Sequence, residues 1–285
     1  MRSDFAEFRE LVALPGESFN PIEAAFLIAM DEYPKLSAAR CGRLMAEMKN
    51  EAEEHMRSLQ GRSAKRAKGP EVIAQVEHFN KLFFETWGFH GNNDEYYDPR
   101  NSFLNDVIDR RTGIPISLTL LYVDIARGGA AIEVIPVGMP GHFLAGFNAR
   151  EDLYIDVFGQ GAFLTLPECA KRAESIIPEL IFEPGHMYRV GPRVIVARML
   201  RNLINIYINE ENFPKALHSI EMILCVEGET PEWMRQRGLI FAATQNYGRA
   251  VNDLERYLEC APNAPDRYVM VDHLRALQKK RATVN

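Results

Sequence analysis

Ser117, His142 and Asp156 are the three side chains whose types and order suit nucleophilic acyl transfer. Gly113 and Pro115 punctuate the chain, and Leu118, Leu121, Tyr122 and Ile125 then recur at helical spacing. That pattern predicts a helix beginning near Ser117. His142 follows the turn Met139-Pro140-Gly141 and opens an apolar run from Phe143 to Phe147, while Asp156 lies in a second extended run, Leu153 to Phe158. In such a set the histidine takes the proton of the nucleophile, the acid orients the imidazole, and the first N–H groups of the helix face an oxyanion. A serine hydroxyl stays protonated near neutral pH and depends wholly on its base, so this version is a serine-dependent amidase, peptidase or esterase. The competing reading is that Ser117 only caps the helix, contributing about 1 kcal/mol, and that His142 and Asp156 are a buried scaffold pair.

The elements that must position these groups can also be read. The polar turn Asn148 to Asp152 makes the His142 and Asp156 segments neighbours in a hairpin, with the two side chains opposite each other on one face. Ile132 to Val137 is a strand candidate whose internal Pro136 points to a sheet edge or bulge. Gly88 to Pro99 is dense in turn formers and aromatics and reads as an ordered loop, with His90 a rim histidine, and Asn101 or Ser102 caps the short helix that follows. Arg110 and Arg111 are expected to pair with Asp98, Asp106 or Asp109. Gly159-Gln160-Gly161 reads as a turn rather than a phosphate cradle. His142 and Asp156 lack a helical partner at i, i+4 and a nearby cysteine, so no metal site and no cofactor are expected.

Four longer runs go further. Tyr96-Tyr-Asp-Pro-Arg-Asn-Ser-Phe-Leu-Asn105, Arg110-Arg-Thr-Gly-Ile-Pro-Ile-Ser117, Pro140-Gly-His-Phe143 and Tyr154-Ile-Asp-Val-Phe158 resemble the transglutaminase-like superfamily, and within it the bacterial SirB-type branch. The resemblance implies a papain-like core carrying Cys, His and Asp in that order, joined to tetratricopeptide-type helices. Here Ser117, or a close neighbour, stands where the resemblance puts the cysteine, and no cysteine is nearby. A conventional transglutaminase is therefore not expected. The resemblance implies a regulatory or protein-interaction module, with the Ser117, His142 and Asp156 hydrolase as the alternative.

Composition sets the outer bounds. The chain has 285 residues, 47% of them hydrophobic, enough for a large core. A net charge of −6 offers no field for nucleic acid or an anionic membrane. Apolar stretches such as Ala24 to Met30 fall far short of the ~20 residues a membrane span needs. The charged run from Met1 to Glu10 is unlike a secretory signal, so a cytoplasmic setting is expected. Cys41, Cys169, Cys225 and Cys260 are scattered with no paired spacing and read as small apolar fillers.

Residues 1–60 read as helices, with Asn20-Pro21 and Ser37 at two helix starts, and Arg57 to Gly69 as a basic, mobile connection. Pro70 opens a helix with Val72, Val76, Phe79, Phe83 and Trp87 on its core face. In the tail, Tyr207, Asn212, Phe213, Ala216, Ile220 and Leu224 recur 34 residues later as Phe241, Asn246, Tyr247, Ala250, Leu254 and Leu258. That period looks like the tetratricopeptide unit, and such repeats suit a protein or peptide partner. The expected fold is α+β, with a helical N-terminal section at 1–90, a transglutaminase-like core with a small antiparallel sheet at 91–190, and tetratricopeptide-like helices at 191–285.

Overall fold

The computed structural model describes residues 3–15, 18–60, 70–148 and 150–284. The chain divides into two compact units, residues 1–199 and 200–285. The basic connection expected from Arg57 begins with four residues of helix, and its remainder lies outside the described residues.

The first unit opens with helices α1 (Ser3–Val12), α2 (Pro21–Glu32), α3 (Ala38–Gln60) and α4 (Pro70–Asn80). Asn20 caps α2 by accepting from the Ile22 N–H at 2.9 Å, with Pro21 in the first turn where no N–H is needed. Beyond Asn80 the chain widens into a π-turn, Lys81–Thr86, rather than continuing as a regular helix to Trp87. Two short bridging strands, β1 (His90–Gly91) and β2 (Thr112–Gly113), then flank helix α5 (Leu104–Arg110).

Helix α6 (Pro115–Gly128) is the centre of this unit. Its residues from Pro115 to Val123 are all buried, as are Ile125 and Ala126. Phe79, Phe83 and Phe84 surround Tyr122, whose hydroxyl donates to Asn80 Oδ1 at 2.7 Å. Burying each such apolar side chain contributes about 1.5–3 kcal/mol, so α6 is held mainly by its environment and only secondarily by helix propensity.

Against α6 lies an antiparallel sheet in the order β6-β5-β4-β3-β7, made of β3 (Val134–Met139), β4 (His142–Phe147), β5 (Arg150–Asp156), β6 (Ala162–Thr165) and β7 (Tyr188–Arg189). The strand expected at 132–137 is shifted by two residues. Pro136 is tolerated inside it because β7 covers only Val137 and Gly138 on that side. Gly141, at φ +70°, makes the turn into β4. Helix α7 (Leu166–Ile176) follows β6 and packs back on the sheet through Cys169 and Ala173.

Helix α8 (Pro192–Asn209) leads from the first unit into the second, which continues with α9 (Phe213–Glu227), α10 (Pro231–Ala243), α11 (Tyr247–Cys260) and α12 (Arg267–Val284). The 34-residue repeat is present in the backbone itself. Asn212 and Asn246 cap α9 and α11 with φ, ψ of −81°, 65° and −83°, 66°, and each follows a left-handed residue, Glu211 or Gln245. Replacing Asn246 by alanine is expected to cost about 0.5–2 kcal/mol through the lost cap. Urea unfolding would measure it, and a loss below the low end would mean that packing alone sets the start of α11.

Among the described residues no helix is long and apolar enough to cross a membrane.

Candidate functional site

The start of α6 sets the hydrogen bonds of Ser117. The helix begins at Pro115, with Ile114 in the N-cap position, so Ser117 is the third helical residue rather than the cap. Its Oγ accepts from the Ile114 N–H at 3.1 Å and donates its one hydrogen to the Asn101 carbonyl at 2.6 Å, with the Ile114 carbonyl a longer alternative at 3.2 Å. This is the back-reaching half of a capping box, made by a fully buried hydroxyl. None of its hydrogen bonds goes to His142. Gly113 is needed beside it, because a Cβ there would lie 2.8 Å from Ser117 Oγ and 3.0 Å from Leu118 Cγ.

His142 and Asp156, by contrast, meet: Nε2 lies 2.8 Å from Asp156 Oδ1. They are diagonal neighbours rather than directly opposite. The β4–β5 register pairs Ala145 with Ile155 and slips between Gly146 and Phe147, which sets His142 two residues beyond the partner of Asp156. The carboxylate also accepts from the Gly159 N–H at 3.0 Å, inside the glycine turn, and Arg172 Nη1 lies 2.8 Å from Oδ2, an ion contact off the hydrogen-bond line. Burial alone would raise the Asp156 pKa. The His142 hydrogen bond and charge, Arg172 and the Gly159 N–H outweigh it and hold the carboxyl below its ordinary value. Arg198 fixes the other side of the hairpin, its Nη2 donating to the carbonyls of His142 at 3.0 Å and Met139 at 3.3 Å.

A cleft of about 860 Å³ opens beside this pair, within the size range of ligand sites. Tyr96, Tyr97 and Phe158 form one side, Lys171, Arg172 and Ser175 of α7 another, and His142 and Pro115 also line it. The helix-start residue in the cleft is thus Pro115, while Ser117 points to the main chain. No cysteine lines the cleft. Cys169, the cysteine nearest to the pair in influence, is fully buried, and burial, with Asp156 and Glu168 adding, pushes its thiol up to about 11. No group of three metal-ligating side chains occurs among the described residues.

Two features were not readable as site residues. Asn101, expected as a helix cap, is a fully buried hub: Nδ2 donates to the carbonyls of Glu95 at 2.7 Å and Tyr96 at 3.2 Å, while Oδ1 accepts from Asn92 at 3.1 Å. It ties the Tyr96–Tyr97 loop to the start of α6. Arg172 had no local signal at all, since its partner Asp156 is brought to it only by the packing of α7. Arg110 does reach Asp98, at 3.4 Å, whereas Arg111 lies over the Phe89 ring.

A family profile described as "Transglutaminase-like superfamily" matches residues 40–201, more than half of the chain. The chain belongs to the transglutaminase-like superfamily. A "Tetratricopeptide repeat" profile matches residues 203–275, so the second unit carries such repeats. A UPF0162 protein of Xylella fastidiosa strain Temecula1 is 32% identical over 282 residues, covering 96% of this chain and 95% of its own length. A UPF0162 protein of Vibrio cholerae is 29% identical over 208 residues, 72% of this chain and 76% of its own. Human F-box only protein 21 is 35% identical over 148 residues, 48% of this chain and 22% of its own. The core followed by repeats, with UPF0162 relatives, is consistent with the SirB-type branch.

Proposed function

We propose that this protein is a non-catalytic, cytoplasmic interaction module, in which a transglutaminase-like core serves recognition and the tetratricopeptide repeats hold a protein partner. The observation that supports this most is the commitment of Ser117: its hydroxyl accepts from the Ile114 N–H and donates to the Asn101 carbonyl, and the helix-start residue in the His142 cleft is a proline. A base without an aligned nucleophile does not form an acyl-enzyme. The four free cysteines agree with a reducing compartment.

The alternative, a serine-dependent amidase, peptidase or esterase using Ser117, His142 and Asp156, draws support from the His142–Asp156 hydrogen bond alone. A fluorophosphonate probe separates the two readings. Folded wild-type protein is expected to label no more than Ser117→Ala. Strong labelling that disappears in both Ser117→Ala and His142→Ala would overturn the non-catalytic reading. The interaction reading further requires that the full chain recover a stoichiometric partner from lysate, and repeated failure to do so counts against it.

A further inference from the structure

His142 is only 5% exposed, yet its ring lines the cleft. Its Nε2 is taken up by Asp156 Oδ1 at 2.8 Å. No hydrogen bond within the described residues uses Nδ1.

The α7 wall is complementary. Glu168, Lys171, Arg172 and Ser175 recur at three- and four-residue steps and all line the cleft. Glu168 is engaged by the Thr165 N–H and hydroxyl, both at 2.7 Å, and Arg172 by Asp156. Lys171 makes no ion pair or hydrogen bond with the described residues. The cleft therefore offers an unpartnered ring nitrogen at His142, a cation at Lys171 with no hydrogen bond or ion pair though it lies in the field of Glu168, and the rings of Tyr96 and Tyr97, Tyr97 being 70% exposed.

We propose that this cleft binds an acidic peptide segment of a partner protein, with a side-chain carboxylate on Lys171, a main-chain polar group hydrogen-bonded to His142 Nδ1, and apolar side chains against Tyr97. A peptide suits this wall better than a simple anion because it brings donor and acceptor together. The proposal goes beyond the repeats as the partner-holding element, and it rests on the non-catalytic reading of the His142 site.

Fluorescence anisotropy with the full chain tests it, using a labelled hexapeptide of alternating aspartate and leucine and a twin with asparagine for aspartate. The acidic peptide is expected to bind about tenfold tighter at low salt. Lys171→Glu should erase the preference, Lys171→Arg should keep it, and Ser175→Trp, a bulky change at an exposed cleft position, should block both peptides. Equal affinity for the two peptides, absence of binding to folded wild type, or an undiminished preference in Lys171→Glu would each overturn the proposal. Fluorophosphonate labelling is independent of these outcomes: a labelled Ser117 would sink the non-catalytic reading even if the peptides bind, and unlabelled protein without peptide preference would sink only this inference.

Discussion

Asp156→Ala is expected to remove about 3–5 kcal/mol from the folding free energy of the first unit, the scale for breaking a buried ion pair by deleting one partner. Asp156 is fully buried and is the common partner of His142, Arg172 and the Gly159 N–H. Deleting the carboxylate leaves a buried imidazole nitrogen and the Gly159 N–H without their partner, while Arg172, 38% exposed, can turn to solvent. Asp156→Asn keeps the volume and one acceptor oxygen, so its loss should be clearly smaller. Urea unfolding followed by tryptophan fluorescence reads both, and a loss under about 1 kcal/mol for the alanine variant would mean that the pair is not a structural element.

The same residue sets an acid limb. Its carboxyl is held below the ordinary value in the folded protein, so the stability it contributes is fully present above the unfolded pKa of about 3.9 and is lost as pH falls through the lower folded value. Stability measured from pH 5 downward should therefore fall more steeply in wild type than in Asp156→Asn. Parallel curves would remove Asp156 from the acid response.

How much of this was legible in the sequence depends on how local each cause is. The 34-residue repeat was visible because each asparagine cap answers to its own turn, and the structure repeats the same dihedral angles at Asn212 and Asn246. The His142 and Asp156 segments were readable as a hairpin because a polar turn separates two apolar runs. Their diagonal rather than opposed placement was not, since it depends on the irregularity at Gly146 and Phe147. Ser117 was placed at a helix start within two residues, but what its hydroxyl bonds depends on Asn101, sixteen positions away, whose carbonyl is aimed by a loop. The π-turn after Asn80 was hidden for a similar reason: Phe79, Phe83 and Trp87 keep apolar spacing through it, so periodicity alone reports an unbroken helix.

Asn101 carries the second large expected effect, because it is where the cleft loop and the central helix are joined. Its amide donates to two carbonyls, those of Glu95 and Tyr96, its oxygen accepts from Asn92 and, at 3.5 Å, from Arg110 Nη1, and the Asn101 side chain itself is fully buried. Asn101→Ala leaves the two carbonyls and the Asn92 amide unpaired at about 1–3 kcal/mol for each group that stays buried, so a total near 3 kcal/mol is expected after some relaxation of the loop. Asn101→Asp should be worse despite its near-identical shape, since it replaces the donor with a second acceptor and sets a negative charge against two carbonyl oxygens. Ser117→Ala is the control: it removes one hydroxyl from the Asn101 main-chain carbonyl without touching the amide, and should cost about 1–2 kcal/mol. The ordering Asp, then Ala, then the Ser117 control, read from denaturant midpoints, distinguishes a hydrogen-bond hub from a position that only needs its volume filled. If Asn101→Asp were as stable as wild type, the loop bearing Tyr96 and Tyr97 would have to be held by its aromatic contacts, and the wall of the cleft would be set by packing against Phe158.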